Sequence, residues 1–290
     1  MFKNITFMQF PRNWAASNDV ERALHPIEDP APTELRRVGF TPVLPDDERL
    51  LVRAPPVGYL LAMEIRERKL PAAVVAKEVR KRAEAREVVG KKALRRLHDE
   101  VFAELLPRAL IHSRRVDIWI HPEQGVMAVD AASSALCEQV CRELREILAS
   151  FPATYPQPQE SIALRLRLVA SGGDFTLQAL SDTTATLWLA ADERQARFKE
   201  WEPDDEIGAL LASGMYPERM SVSVGGLMQA VLDTDMRLRS VKLLDGGVDK
   251  YEDMEDHARF VSWLLNLTWQ TLHSEFNCYD SPPPIAEDLA

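Results

Sequence analysis

The forty residues Leu70–Ala109, LPAAVVAKEVRKRAEAREVVGKKALRRLHDEVFAELLPRA, decide how this chain is read. Pro71 can occupy a first helical turn, where its missing N–H costs nothing, and the spacing predicts a helix from about Ala72 to Glu87. Gly90 supplies a turn, and a second helix is expected from about Lys91 to Leu106, closed by Pro107. Leu94, Leu97, Val101 and Leu105 form a continuous apolar stripe on that second helix. Lys77, Arg80 and Lys81 share a face of the first helix, and Lys91, Lys92, Arg95 and Arg96 share one on the second, away from the stripe.

The pair is basic in an acidic protein. The 290-residue chain carries a formal charge of −10. From Ile65 to Arg115 there are fifteen Lys and Arg against seven acids, a local excess of +8, so the remaining residues sum to −18. A chain segregated in this way can offer cations to a polyanion while its acidic remainder keeps it in solution. Duplex DNA fits that offer, because Lys and Arg along its backbone gain free energy by releasing counterions without reading bases. The plain alternative is a solvated helix face, although Lys77 with Lys81 and Glu100 with Glu104 are like-charged pairs at i, i+4 spacing that would repel.

Outward from the pair, alternation predicts strands at Asn4–Phe10 and Gly58–Arg66, and a hairpin from Val116–Ile120 and Gly125–Val129. Helical periodicity predicts helices at Trp14–Leu24, Ser134–Ser150 and Met254–Phe276. The proline-dense stretch His25–Pro56 reads as loops with short strands. Phe151–Pro158 reads as a proline-rich linker and a domain boundary. Beyond it, Ile162–Val169 alternates Leu164, Leu166 and Leu168 with Arg165 and Arg167 and is expected as a strand. Phe175–Leu180, Leu187–Leu189, Met220–Leu232 and Arg237–Leu244 complete the strands, and the tail from Asp280 reads as mobile. The fold class is α+β.

Several chemistries lack their residues. The sequence has no G-x-S-x-G elbow, P-loop, dinucleotide fingerprint or HExxH. The pairs Gly172-Gly173, Gly225-Gly226 and Gly246-Gly247 read as turns or bulges. Cys137 and Cys141, one helical turn apart, and the solitary Cys278 read as buried reduced thiols, and no metal or cofactor is expected. Asp233 and Asp235, with the cluster Asp204, Asp205 and Glu206, could serve a two-metal phosphodiesterase. Hairpin residues and an acidic first helical turn explain the same acids. The first ten residues lack a secretory pattern and no apolar run would span a membrane, so a cytoplasmic address is expected.

Five strings in order, MFKNITFMQF at the start, GFTP at Gly39–Pro42, Leu70-Pro71, DEVFAELLPRA at Asp99–Ala109 and VDIWIHPEQGVMAVDAAS at Val116–Ser133, resemble the RdgC family of recombination-associated proteins. The likeness is clear over about the first 155 residues and thins beyond, where SIALRLRLVASGGDFTLQAL and MSVSVGGLMQAVLDTDMRLRSVKLLD still follow the family's strand pattern. The resemblance implies mixed and antiparallel sheets with a protruding basic helical pair. It divides the chain into a discontinuous centre domain (1–66 and 110–155), a helical tip (67–109) and a base (156–290). It further implies a ring-forming homodimer around double-stranded DNA that limits the access of RecA recombinase, takes part in replication restart, and has no catalytic activity. Leu106, Arg108 and Leu110 are then the expected dimer contacts, with Leu110 standing where the family has a phenylalanine, and Lys199 is a further DNA contact beside an intrusive Glu200. Two other readings stay open: a metal-dependent nuclease, and a regulator whose basic tip meets an acidic protein.

Overall fold

The computed structural model describes residues 2–45, 47–173, 176–180, 186–191, 194–202, 204–244 and 253–280. Phe175, Gly246, Gly247 and the tail beyond Asp280 lie outside them. Contacts divide the chain into two compact units, Met1–Leu24, Pro42–Leu61 and Val116–Ala290 forming the first, His25–Thr41 and Ala62–Arg115 the second. In chain order the elements are β1 (Thr6–Gln9), α1 (Ser17–Ala23), β2 (Arg36–Thr41), β3 (Leu51–Arg53), β4 (Tyr59–Lys69), α2 (Ala72–Ala85), α3 (Lys91–Leu105), β5 (Leu110–His121), β6 (Val126–Val129), α4 (Ser134–Leu148), α5 (Ile162–Ala170), β7 (Leu177–Ala179), β8 (Thr186–Ala191), β9 (Arg194–Lys199), α6 (Asp205–Ala212), β10 (Tyr216–Val224), β11 (Met228–Asp233), β12 (Leu238–Leu243) and α7 (Met254–Glu275). The α+β class holds, with β2 and β3 on β4, β6 on β1 and β5, and β7 to β12 among themselves paired antiparallel.

In the second unit β2 pairs with Ala62–Glu67 of β4, and α2 and α3 pack as a hairpin. The hairpin's apolar cluster is small: among the described residues Val75, Leu97 and Val101 are buried in it, with Leu70, Val79, Ala83, Val88, Phe102 and Leu105 packed around them. Leu94 leaves the stripe and is exposed. Pro71 stands at the N-cap, one place before the first turn. At the turn between the helices Gly90 adopts φ +97, a left-handed region that a side chain would strain.

In the first unit β6 pairs with β1 and with Ile118–His121 of β5, giving the expected hairpin, while β3 pairs with Tyr59–Leu61 of β4. A second sheet runs β12-β11-β10-β8-β9, with β7 also on β10. Leu187, Leu189, Met220, Val222, Ala230 and Leu232 alternate into a buried cluster shared with residues of α5, α6 and α7. That cluster also takes in Phe2, Ile5 and Phe7, and the Phe7 and Trp269 rings are 5.4 Å apart. Contacts therefore make no break at Phe151–Pro158.

The strand expected at Ile162–Val169 is a helix, α5. Its LRLRL alternation suits a two-residue period, yet Leu and Arg are both strong helix formers, and Ser161 caps the turn by accepting from Leu164 N–H. Ile162, Leu166, Val169 and Ala170 are buried at helical spacing, whereas Leu164 is 56% and Leu168 45% exposed. The apolar cluster below rewards the period of 3.6.

Candidate nucleic-acid interface

All seven cations singled out on the helical pair, Lys77, Arg80, Lys81, Lys91, Lys92, Arg95 and Arg96, are exposed, and none makes an ion pair among the described residues. Other cations of the segment are committed to structure. Arg82 on α2 donates to Glu78 at 2.8 Å and, through both terminal nitrogens, to Glu104 on α3 at 2.6 and 3.1 Å. Arg86 reaches Glu100 at 3.2 Å. The Arg82 guanidinium holds the carboxyls of Glu78 and Glu104 below the ordinary range. Arg66 is answered by Glu64 and Asp29, and Arg68 donates to the carbonyls of Pro30, Pro107 and Ala109. Glu104 and Glu100 are thus met across the two helices, and Glu78 along α2 itself.

These pairs set the levels of the two helices. Arg82 lies level with Glu104 and Arg86 with Glu100, so Lys91–Arg96 continues beyond them toward the turn. Lys91, Lys92 and Arg96 border a surface hollow of about 510 Å³ with Val88, Val89 and Gly90, while Lys77, Arg80 and Lys81 border another of about 570 Å³ with Val74 and Glu84. The seven cations form two groups, not one patch. Lys91 and Lys92, in the first turn of α3, also run against the helix dipole: α3 has no acid in its first turn and no base in its last. Cations at a helix N-terminus cost up to about 1 kcal/mol each rather than stabilising it.

Of the expected dimer contacts, Leu110 is 76% exposed and Arg108 is exposed, but Leu106 is 5% exposed. Leu106 therefore has almost no surface left to offer. Lys199 ends β9 in the first unit and is exposed.

The acids considered for metal chemistry have other occupations. Asp233 is buried, accepts from the backbone N–H groups of Asp235 and Arg237, and takes two bonds of 3.0 Å from Arg239. Asp204 caps α6 by accepting from Ile207 N–H at 2.9 Å, with Asp205 and Glu206 in the first turn. Among the described residues no three His, Cys, Asp or Glu gather as metal ligands. The three cysteines are buried, and burial pushes the Cys141 thiol up to about 12 and that of Cys278 to about 11. No described helix is long and apolar enough to cross a membrane.

Beside Lys199 and Arg197, which the resemblance had placed on a DNA-facing projection, stand two residues on β8 and β10, Trp188 and Arg219, that had no weight in the sequence reading. Trp188 of β8 sits opposite Arg197 on β9 and Arg219 on β10, and the Arg197 guanidinium carbon lies 5.0 Å from the Trp188 ring centre. The alternation of RQARFK was the available signal, hidden by the strand's polar composition.

An α+β protein whose candidate acids and thiols serve its own structure, with unpaired cations on a helical hairpin, is the class that these observations define. A family model described as "Putative exonuclease, RdgC" matches residues 1–273. The chain is 30% identical over 271 residues to the Recombination-associated protein RdgC of Dechloromonas aromatica (strain RCB), covering 89% of this chain and 88% of the relative. It is equally 30% identical over 266 residues to the protein of the same name from Xanthomonas axonopodis pv. citri (strain 306), with 88% of each covered. The chain belongs to the RdgC family, and the match runs far past the first 155 residues.

Proposed function

We propose that this chain is a non-enzymatic, sequence-indifferent binder of double-stranded DNA, cytoplasmic and nucleoid-associated. It acts as a ring-shaped homodimer that limits RecA access to DNA. The observation that carries the reading is the set of seven exposed cations on α2 and α3 without ion pairs among the described residues. Their cost to α3 is repaid when phosphates neutralise them. Recombination is named in the relatives, and DNA is the polyanion that this process handles. The three-part division into centre, tip and base, and the dimer contacts at Arg108 and Leu110, belong to the same proposal.

Gel-shift titration of unrelated linear duplexes at several salt concentrations tests it. Binding should ignore sequence and fall roughly 10³–10⁵-fold between 50 and 200 mM salt if six to ten phosphates are contacted. Strong sequence preference, or binding indifferent to salt, would overturn it.

The family description favours one other reading, an exonuclease. Asp233 is a poor metal ligand because Arg239 and two backbone N–H groups already occupy its carboxylate. Incubation of linear and plasmid DNA with Mg²⁺ or Mn²⁺ should leave both intact, and degradation abolished by Asp233→Asn would establish the enzyme instead.

A further inference from the structure

We propose that the hollow at the turn between α2 and α3 docks an acidic peptide segment of a partner protein. Val88, Val89 and Leu97 would receive the segment's apolar side chains, and Lys91, Lys92 and Arg96 its carboxylates. The hollow lies wholly in the second unit.

The turn is built so that one valine goes in and the next stays out. At the end of α2 Glu87 takes φ +50, and Val88 N–H reaches back to the carbonyl of Ala83 at 2.9 Å. Such a helix ending presses the residue after the left-handed one onto the last helical turn. Val88 accordingly packs against the cluster of Val75, Leu97 and Val101. Val89 has no such place: at 88% it is the most exposed large apolar side chain among the described residues. Turns favour Gly, Asn, Asp, Pro and Ser, through backbone freedom or local hydrogen bonds. The fold gives a β-branched apolar residue nothing at this position, and its contact is left for a partner.

The surroundings of Val89 select the partner's chemistry. The hollow beside it measures about 510 Å³, within the range of about 300–1,000 Å³ that binding pockets occupy. Leu97, 4% exposed, lies at its floor. Arg86 and Glu100 on its border answer each other at 3.2 Å, which leaves the charges of Lys91, Lys92 and Arg96 uncompensated by any ion pair among the described residues. The first turn of α3 also lines the hollow and starts from Gly90 without a side-chain cap, so its N–H groups can add to the hold on a carboxylate. An apolar floor under a cationic rim complements a segment in which acids flank a leucine-like side chain. A duplex backbone can meet the rim but brings no apolar group to Val89 or Leu97, and a membrane surface does not reach a recessed floor. Lys91, Lys92 and Arg96 also belong to the cations assigned to duplex DNA, but Val89 does not, and it separates the two ligands.

Fluorescence anisotropy of the full chain tests the proposal with four probes: a labelled peptide of aspartates and glutamates around two leucines, the same peptide with serines for the leucines, a blunt duplex, and phosphatidylserine vesicles. The leucine peptide should bind at least about tenfold more tightly than the serine peptide. Val89→Ser should weaken the leucine peptide about five- to tenfold and leave duplex affinity unchanged, while Val89→Ile should keep the wild-type value. A wild type that binds the leucine peptide but no duplex would sink the duplex reading and uphold this one. Equal affinity for the two peptides, unchanged peptide affinity in Val89→Ser, or Val89-dependent binding of vesicles in place of peptide would overturn it. A wild-type readout guards against a misfolded variant: photo-leucine in the probe should crosslink to the segment Glu87–Lys91, and crosslinks elsewhere would count against the proposal just as firmly.

Discussion

Arg82 and Glu104 join α2 to α3 through a two-pronged contact, the arginine's terminal nitrogens 2.6 and 3.1 Å from the two carboxylate oxygens. The pair sorts the arm's cations into those that hold the hairpin and those left facing outward. Glu104→Gln would release Arg82 from this fork and add a positive charge to the arm. Duplex affinity should rise about two- to fivefold, with a log K against log salt slope steeper by roughly one. Anisotropy at four salt concentrations reads both, and no change in either would mean that the arm does not meet DNA.

The helix at Ile162–Ala170 makes a prediction that a strand would not. Leu164 and Leu166 would share a strand face and respond alike, but here Leu164 is 56% exposed and Leu166 is fully buried. Leu166→Ala should cost about 2–5 kcal/mol, and Leu164→Ala should stay within about 0.5 kcal/mol. Urea unfolding of the two variants distinguishes the cases.

Leu97 is 4% exposed in a cluster that, among the described residues, has two other buried members, Val75 and Val101. Leu97→Ala should cost about 2–4 kcal/mol locally. Hydrogen exchange would show faster amides in α2 and α3, with those of α7 protected as in the wild type. Uniform acceleration over the whole chain would show instead that the two units unfold together.

Burial pushes His121 below the ordinary histidine range, against a weaker opposite pull from Glu123. The folded state resists a proton that the unfolded chain accepts near pH 6.5. The resulting stability is present above about pH 6.5 and is lost as pH falls through the lower folded value. His257 is shifted in the same direction by burial and adds to the effect. Tm should fall between pH 7.5 and 5.5, and His121→Gln should lose less over that interval than the wild type.

How legible these features were depended on whether local pattern alone decided them. The helical pair was readable to within two residues because Pro71, Gly90 and Pro107 punctuate it and one face repeats at helical spacing. The β5–β6 hairpin and α7 were readable for similar reasons. The α5 segment was not, since its alternation satisfies either period and the apolar cluster beneath it made the choice. Likewise the Arg82–Glu104 and Arg86–Glu100 pairs depend on how α3 is rotated against α2, which spacing along a single helix does not contain. Leu106 shows the same limit, for its place in a quoted string marked it as a contact while the fold buried it. Trp188 and Arg219 acquired their place beside Arg197 only from strand register.

Charge reversal at the arm's outer end is the most direct test of duplex binding. Arg95→Glu with Arg96→Glu, titrated with linear duplex by gel shift across salt, should weaken every sequence alike by at least about tenfold and flatten the salt slope by about two. Wild-type affinity and slope in a variant that remains folded would contradict the proposal that these cations meet the DNA backbone.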